Sequence, residues 1–409
     1  MGAPSSNVEK ILKIITPYSE VMRKWYENFD FYKWLPTKNN FGGRYMEVPI
    51  GYDSGGGHGH SFSDAMESET NENLYDHFKV YRTRDYGLVY INNEDIEASE
   101  GNENAFISQL EDRIEGVDTG LKTRLSYEMW SDGGGAIARL TAIVGPGAGA
   151  VLELLDHEAI FRFRIGMKLQ ASVDSGLAGA GVKAGAPGYM IITAIDEDAG
   201  KITVDNSANI AGLVATDFLF QKGDYGLGVK GVVAYVPSAA ELTATPTLWG
   251  MTRTANSAKQ AGIRFAGAAY GLTEALERML SRAKKSSVFP DAIWVNNDYY
   301  TAISLDLGAK ATREYVKFGQ WGFETFKVNG GGRSVPVLAD QNCPAATAFG
   351  LTRKSWVWHT LKEAPRWLTQ GATTIVKPTA DGVQARRGWR GQLVCRMPGD
   401  NIRGTLPTI

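Results

Sequence analysis

Residues 77–92, HFKVYRTRDYGLVYIN, decide the fold expected for this chain of 409 residues. About half of them are β-branched or aromatic, as is typical of strands. Upstream, every second residue of the segment 45–50 (YMEVPI) is aliphatic or methionine, the pattern of a strand with one buried face. The glycine-rich stretch 51–60 predicts an irregular, flexible connection. Residues 44–92 therefore predict a long two-stranded ribbon, too long to bury both faces within one small domain, so we expect it to need a partner surface.

Residues 103–130 predict the longest helix of the chain. Its apolar residues recur at steps of three or four positions: Phe106, Leu110, Ile114, Val117, Leu121, Leu125 and Met129. With a rise of 1.5 Å per residue, such a helix is roughly 40 Å long. Gly116 and Gly120 each cost about 1 kcal/mol relative to alanine inside a helix. We therefore expect close packing or a slight bend where they lie.

The N-terminal residues predict helices followed by an aromatic segment. Ser6 and Glu9 have the spacing of a capping box, and apolar residues recur at helical spacing on both sides of Pro17. Residues 25–34 then contain six aromatic side chains. Two interpretations stay open. The aromatic segment anchors the chain to a neighbouring subunit, or it packs on the chain's own core.

The composition changes after Ser131, where glycine and alanine become frequent and tryptophan is missing until Trp249. Short segments with strand character follow, at 161–171, 188–195, 202–204 and 218–221. The acidic turn 196–200 joins the middle two as a hairpin, because acidic residues and glycine favour turns. We interpret residues 145–235 as an inserted small β-barrel or β-sandwich.

From Trp249 onward the pattern is that of mixed helices and strands. A helix is predicted at 272–283, a buried strand at 290–295, and a hairpin at 323–339 around three consecutive glycines. The segment 355–394 is rich in strand-forming residues.

Composition excludes several classes of protein. Lys and Arg number 43 against 45 Asp and Glu, so the formal net charge is -2, which excludes a strongly basic nucleic-acid binder. No apolar run reaches the roughly 18 residues of a membrane-spanning helix. The first residues lack the basic and apolar regions of a secretory signal. Cys343 and Cys395 are too few for a disulfide framework or a cysteine-rich zinc site, so we expect buried thiols.

The candidate chemical motifs each lack a necessary part. Residues 226–231 match G-x-G-x-x-G, but 232–236 is strand-like, so no helix is expected to hold a pyrophosphate and a β-turn is the better explanation. His58 and His60 would need further ligands to bind a metal. His157 lacks the second histidine of H-E-x-x-H. We therefore predict no catalytic, cofactor-binding or metal-binding residues, and a protein that is not an enzyme.

Charge is distributed unevenly along the chain. Residues 64–115 contain fourteen acidic and four basic residues, whereas residues 353–396 contain nine basic and two acidic residues. Either these are two separate solvated faces, or they dock between copies of the chain, where complementary charge sets register and association rate. Arg386, Arg387 and Arg390 are the candidates for such docking. They also flank a tryptophan, as on nucleic-acid surfaces, but no recognition motif accompanies them.

The order of these elements resembles the major capsid protein of tailed double-stranded DNA bacteriophages, the HK97-like fold. The segments 249–254 (WGMTRT), 290–296 (PDAIWVN) and 335–340 (VPVLAD, followed by Pro344) are similar to the start, core and return segments of that family's axial (A) domain. The resemblance implies an α+β fold with these parts: an N-terminal arm (1–43), an E-loop (44–92), a peripheral (P) domain with a long spine helix (93–144), a β-rich insertion (145–235), an A domain (236–350), and a C-terminal β-rich return to the A and P domains (351–409).

The resemblance also implies a function. It predicts a structural subunit that self-assembles into hexamers and pentamers, forming the icosahedral shell around phage double-stranded DNA. That places the protein in the virion capsid, assembled in the cytoplasm of the bacterial host.

The implied partners are other copies of the chain, through the N-arm and E-loop. Scaffolding, portal and decoration proteins are further implied partners, with packaged DNA contacted only non-specifically and no membrane involved. Some family members form Lys–Asn cross-links, but Lys79 in the E-loop has no matching partners, so no cross-link is predicted.

Two alternatives to a capsid subunit remain. One is another self-assembling virion protein, such as a tail or decoration component. The other, less favoured, is a glycan- or nucleotide-acting enzyme.

Overall fold

The computed structural model describes residues 29–53, 56–67, 74–92, 103–307, 313–318, 321–362, 365–368, 375–376 and 382–409. The helices are α1 (Asp30–Trp34), α2 (Phe62–Glu67), α3 (Glu103–Glu128), α4 (Val232–Tyr235), α5 (Ala239–Ala244), α6 (Ser257–Gln260), α7 (Leu272–Lys285) and α8 (Asn297–Leu307). The strands of the first half are β1 (Thr37–Lys38), β2 (Tyr45–Asp53), β3 (Leu74–Tyr81), β4 (Thr83–Asn92), β5 (Ala138–Val144), β6 (Val151–Leu154), β7 (Lys168–Ser172), β8 (Met190–Asp196), β9 (Lys201–Val204) and β10 (Phe218–Gln221). Those of the second half are β11 (Thr247–Leu248), β12 (Met251–Thr252), β13 (Ile263–Ala266), β14 (Ala292–Val295), β15 (Arg313–Phe318), β16 (Trp321–Gly330), β17 (Arg333–Ala339), β18 (Thr347–Leu351), β19 (Trp356–Thr360), β20 (Arg366–Trp367), β21 (Ile375–Val376), β22 (Gly382–Cys395) and β23 (Ile402–Thr405).

The predicted ribbon is present, but its second half divides between two sheets. β2 pairs antiparallel with β3. Tyr45 lies opposite Tyr81 at one end of the pair, and Asp53 lies opposite Leu74 at the other end, near the glycine-rich connection. The chain then bends at Arg82, whose guanidinium donates a hydrogen bond to the carbonyl of Phe41. Beyond the bend, β4 pairs with β22 instead of β2. The expectation of one continuous returning strand over 77–92 is therefore wrong.

The long helix α3 matches its prediction and lies across the sheet made by β4 and β22. At Gly120 an added Cβ would lie 2.6–3.2 Å from the Arg164 guanidinium, the far end of a flexible and exposed side chain that can move aside. At Gly116 no atom of the described residues lies within 4 Å of an added Cβ. The expected close packing is therefore not found at Gly116, and at Gly120 the nearest group is a flexible side chain.

The predicted insertion is a closed barrel with the strand order β10-β5-β6-β9-β8-β7. Its core is a separate cluster of mainly aliphatic buried residues, which also contains Phe163 and, from α3, Tyr127. The barrel includes β5, which begins at Ala138, before the predicted boundary at 145. The strand predicted at 161–171 is confirmed only from Lys168, because His157–Arg162 form a 3₁₀ turn whose Ile160 packs into the barrel core.

The C-terminal half contains a seven-stranded sheet in the order β13-β23-β18-β14-β17-β16-β15, covered by α7 and α8. Here the predicted helix, buried strand and glycine hairpin are confirmed as α7, β14 and the β16–β17 pair. The remaining β-rich segment forms β19 and β22, which join the sheet that contains β4.

A cluster of buried aromatic rings joins the start of the described chain to these layers. Phe31 packs 4.5 Å from Trp130 and edge-on to Trp294 at 5.3 Å, measured between ring centroids. Trp34 lies 5.8 Å from the same Trp294 ring. Residues 29–35 therefore pack on the chain's own core. The predicted capping box and the helices before residue 29 lie outside the described residues.

Candidate assembly surfaces

The β2–β3 ribbon has one buried and one exposed face, because successive side chains of a strand point to opposite sides. Val48, Ile50, Phe78 and Val80 face inward and belong to the main core cluster. The outward face carries three exposed tyrosines, Tyr45, Tyr75 and Tyr81. The chain's own core therefore covers one face of the ribbon, and the need for a partner surface applies only to the other.

The far end of the ribbon exposes large apolar side chains. On α2, the Phe62 side chain is 82% exposed, and Met66 is exposed one turn later. Tyr75, at the start of β3, is 66% exposed. Burying one such side chain contributes about 1.5–3 kcal/mol. Large exposed apolar side chains near one end of a ribbon are typical of a contact site.

The outward face of β4 is a second exposed surface. Tyr86, Leu88 and Tyr90 alternate along the strand and are exposed, while Val89 points inward and is buried. Arg386 of β22 lies opposite Leu88 in the register and is also exposed. This face combines apolar side chains with a cation at its edge.

Arg124 on α3 contacts acidic side chains of three segments near the start of β4. Its guanidinium lies 3.4 Å from Asp85 of β4, 2.9 Å from Glu128 of α3 and 2.7 Å from Asp224, which follows the last barrel strand. Burial raises the pKa of Glu128 to about 7 and raises those of Asp85 and Asp224. Burial opposes the charge of Arg124, yet the three carboxylates raise its pKa. The site is thus a buried cation with excess acid, holding barrel, helix and sheet together.

Arg387 does not take the role that the charge pattern suggested. Its guanidinium lies 2.5 Å from the Asp118 carboxylate of α3 and 5.0 Å from the centre of the Trp367 ring. Both side chains of the ion pair are buried. Arg387 therefore cannot dock on another copy, whereas Arg386 is exposed and Arg390 partly exposed.

The G-x-G-x-x-G segment is a loop, but the strand predicted after it is wrong. Val232–Tyr235 form the one-turn helix α4, and all of its residues are buried. The Val232 N–H donates a hydrogen bond to the Met129 carbonyl at the end of α3, 2.8 Å away. Because the protein itself occupies this helix start, the helix does not provide a pyrophosphate site.

The histidines and cysteines considered as possible ligands form no cluster in the described part of the chain. His58 and His60 are exposed in the connection between β2 and α2. Among the residues that the structure describes, no three His, Cys, Asp or Glu side chains are placed to hold a metal. Cys343 and Cys395 are free and buried as predicted, and burial raises the pKa of each thiol. No described helix is both long and apolar enough to cross a membrane.

Comparison with known proteins gives matches of structure and none of sequence. No family profile matches the sequence, and neither does any curated protein. The structure matches that of the Cyanophage A-1(L) capsid asymmetric unit with a TM-score of 0.53 and 11% identity, over 94% of this chain and 95% of that chain.

Two structures of lower similarity are also matched. The capsid of a native GTA particle matches with a TM-score of 0.43 and 9% identity, over 92% of this chain and 90% of that chain. The structure described as Mycobacterium phage Adephagia matches with a TM-score of 0.40 and 10% identity, over 94% of this chain and 91% of that chain. The cyanophage match alone carries the fold likeness. The predicted α+β fold is thereby confirmed: the chain has the HK97-like fold of a phage capsid protein, with a small closed β-barrel inserted.

Proposed function

We propose that this chain is the major capsid protein of a tailed bacteriophage. Copies of it form hexamers and pentamers, which close an icosahedral shell around double-stranded DNA. The observation that carries the proposal is the exposed apolar surface of the β2–β3 ribbon and α2, set on a fold that matches a phage capsid subunit along 94% of the chain. Ordering an extended ribbon costs about 1–2 kcal/mol per residue in backbone entropy. Burial of its outer face against neighbours offsets that cost.

The parts of the chain take the following roles in this proposal. Residues 44–92 are the E-loop with its root strand, and α3 with β4 and β22 forms the peripheral domain. The seven-stranded sheet with α7 and α8 forms the axial domain, and residues 138–221 form the inserted barrel. Residues 1–43 are the N-terminal arm, whose end, from Phe29 on, is anchored in the subunit's own aromatic core.

The function is structural in this proposal, and no step of it is catalytic. Copies of the chain are the main partners. Scaffolding, portal and decoration proteins are the others, and packaged DNA touches the shell without sequence preference. Assembly takes place in the cytoplasm of the bacterial host, and the finished protein resides in the virion.

The test compares two variants that each remove exposed apolar surface. Phe62→Ser/Met66→Ser changes the ribbon end, and Leu305→Ser changes an equally exposed side chain on α8 (76% exposed) as a control. Sedimentation should show large assemblies for the unmodified chain and the control, and small species for the double variant. If the unmodified chain stays monomeric at every salt concentration, with a scaffold present, the proposal is wrong.

A further inference from the structure

One cleft of the subunit is lined mainly by arginines. It lies where the start of β2, the bend between β3 and β4, the end of β19 and the middle of β22 meet. Its volume is about 330 Å³, and we call it the arginine cleft. No carboxylate of the described residues lines it. The lining consists of Arg44, Arg82, Arg84 and Arg390, together with Tyr81, Thr83 and Leu361.

The charge of the arginine cleft is not compensated within the described part of the chain. Arg84 of β4 lies directly opposite Arg390 of β22, and like charges in opposite positions destabilise a strand pair. Among the described residues, Arg44, Arg84 and Arg390 have no carboxylate partner. The Nε atom of Arg390 is buried there without a hydrogen-bond partner. An anionic ligand would remove this repulsion.

Hydrogen bonds within the chain fix the walls of the cleft. The Arg82 guanidinium donates to the Phe41 carbonyl at 2.9 Å and lies over the Phe41 ring, 5.3 Å from its centre. The Phe41 N–H in turn donates to the Thr360 carbonyl, 3.0 Å away. On the other side, the Leu361 N–H donates to the Arg390 carbonyl, also at 3.0 Å. A site that is already ordered loses less entropy when it binds a ligand.

The free donors of the cleft indicate the chemistry of its ligand. A guanidinium has several N–H donors and no acceptor. Arg82 makes one hydrogen bond to the described residues, whereas the side chains of Arg44 and Arg84 make none. Planar guanidinium groups match phosphate oxygens in pairs of parallel hydrogen bonds, and arginine clusters are a common phosphate-recognition device. Adjacent phosphate groups also carry more negative charge and more acceptors than one carboxylate, as a group of arginines requires.

We propose that the arginine cleft is a binding site for adjacent phosphate groups. Bound phosphates neutralise the facing Arg84 and Arg390, and they connect the start of β2 and the bend at Arg82 to β22. The ligand therefore fixes the base of the β2–β3 ribbon relative to the sheet that contains β4. This site goes beyond the proposed function, because it takes a ligand whether or not copies of the chain assemble.

The size of the cleft favours a free polyphosphate over a nucleic-acid backbone as the source of the phosphates. Small-molecule sites measure about 300–1,000 Å³, and the arginine cleft lies at the lower end of that range. Non-specific binding of duplex DNA instead uses many phosphate contacts along an extended basic surface. A compact chain of phosphates, as in inorganic tripolyphosphate or a nucleoside triphosphate, fits the cleft.

Binding of inorganic tripolyphosphate to the full-length chain tests the site, with citrate as a carboxylate comparison at the same ionic strength. Calorimetry should show tripolyphosphate binding more tightly than citrate. The variant Arg44→Gln/Arg84→Gln changes two exposed side chains and should weaken tripolyphosphate binding about tenfold or more, because it removes charge-assisted hydrogen bonds. The control Arg282→Gln/Lys285→Gln removes two exposed charges on α7 and should bind like the unmodified chain.

Thermal unfolding separates a ligand-binding role of Arg84 from a purely structural one. Tripolyphosphate should raise the midpoint temperature of the unmodified chain, because a ligand of the folded state stabilises it. Without tripolyphosphate, Arg84→Gln should also raise the midpoint, since it removes the repulsion with Arg390. With tripolyphosphate, the same variant should show a smaller rise than the unmodified chain. A variant that unfolds earlier without ligand and shows the full rise with it would overturn the proposal.

A single-stranded deoxyoligonucleotide tests the second source of phosphate. If it binds, tripolyphosphate does not, and Arg44→Gln/Arg84→Gln abolishes its binding, the site stands with a nucleic-acid backbone as its ligand. If neither phosphate ligand binds the variant more weakly than the control, the proposal is wrong. Citrate that binds as tightly as tripolyphosphate would also overturn it. These results do not depend on shell formation, so failure of this site leaves the proposed function untouched.

Discussion

Gly87 of β4 lies directly beneath Val117 of α3, so close that a Cβ at position 87 would overlap the valine side chain. The long helix α3 can approach β4 this closely only because Gly87 has no side chain. The position of the helix over the sheet therefore depends on one glycine.

Replacing this glycine should separate the helix from the sheet. For Gly87→Val we expect a loss of about 1–3 kcal/mol in the free energy of unfolding, as for other overpacked sites. The control substitution Gly116→Ala lies on α3, at a position where an added Cβ lies within 4 Å of no described neighbouring residue. It should raise stability by about 0.5–1 kcal/mol through helix propensity. Urea unfolding of the unassembled chain measures both, and equal effects of the two substitutions would contradict the packing argument.

Removing the buried cation at the junction should be more costly. Arg124→Met leaves the carboxylates of Asp85, Glu128 and Asp224 without their shared partner. Loss of one partner from a buried ion pair costs about 3–5 kcal/mol. Arg282→Met, an exposed substitution, should change stability by less than about 0.5 kcal/mol. A similarly small effect at position 124 would show that the junction does not hold the three elements together.

The buried acids predict a stability that depends on pH. Burial raises the pKa of Glu128 to about 7 and that of Asp340 to about 6, so the folded chain binds their protons more tightly than the unfolded chain. Their contribution is full below about pH 4 and is lost as pH rises through 6 and 7. We therefore expect the urea concentration at the unfolding midpoint to decrease as the pH is raised from 5 to 8. Glu128→Gln should flatten this fall, because glutamine stays uncharged. An unchanged slope in that variant would contradict the assignment.

Substitutions in the aromatic core should lower stability, whereas substitutions on the exposed ribbon face should weaken assembly. Trp294→Ala removes a fully buried ring that contacts Phe31, Trp34 and Trp130, and should cost about 3–5 kcal/mol of stability. Tyr75→Ala on the exposed ribbon face should leave the unfolding free energy nearly unchanged but weaken assembly. Unfolding and sedimentation measured on both variants check this, and a Tyr75 variant that is unstable but assembles would reverse the interpretation.

Local patterns predicted the elements that depend on neighbouring residues. The long helix followed from apolar residues at steps of three and four, and the β16–β17 hairpin from its glycines. Long-range pairing could not be predicted in this way. The partner of β4 is β22, from the other end of the chain, and the bend at Arg82 that divides the two sheets depends on the carbonyl of Phe41. The sequence of Val232–Tyr235 suggested a strand, because buried valines occur in both strands and helices. The hydrogen bond from the Val232 N–H to the Met129 carbonyl, just after α3, fixes the start of a helix there.

The candidate surfaces were predicted only in part. The alternation in β2 indicated one buried face, but only the structure shows that the chain's own core covers it. The charge sums indicated complementary segments without showing that Arg387 is already paired with Asp118 inside the subunit.

Electron cryomicroscopy of particles formed by the unmodified full-length chain tests the central claim most directly. We expect closed shells with fivefold and sixfold clusters of subunits, in which the outer ribbon face around Tyr75 and Phe62 is buried against a neighbour. Monomers without capsomers or shells under every salt condition, including with a scaffold present, would contradict the account. Ordered particles that leave this ribbon face in solvent would contradict it as well.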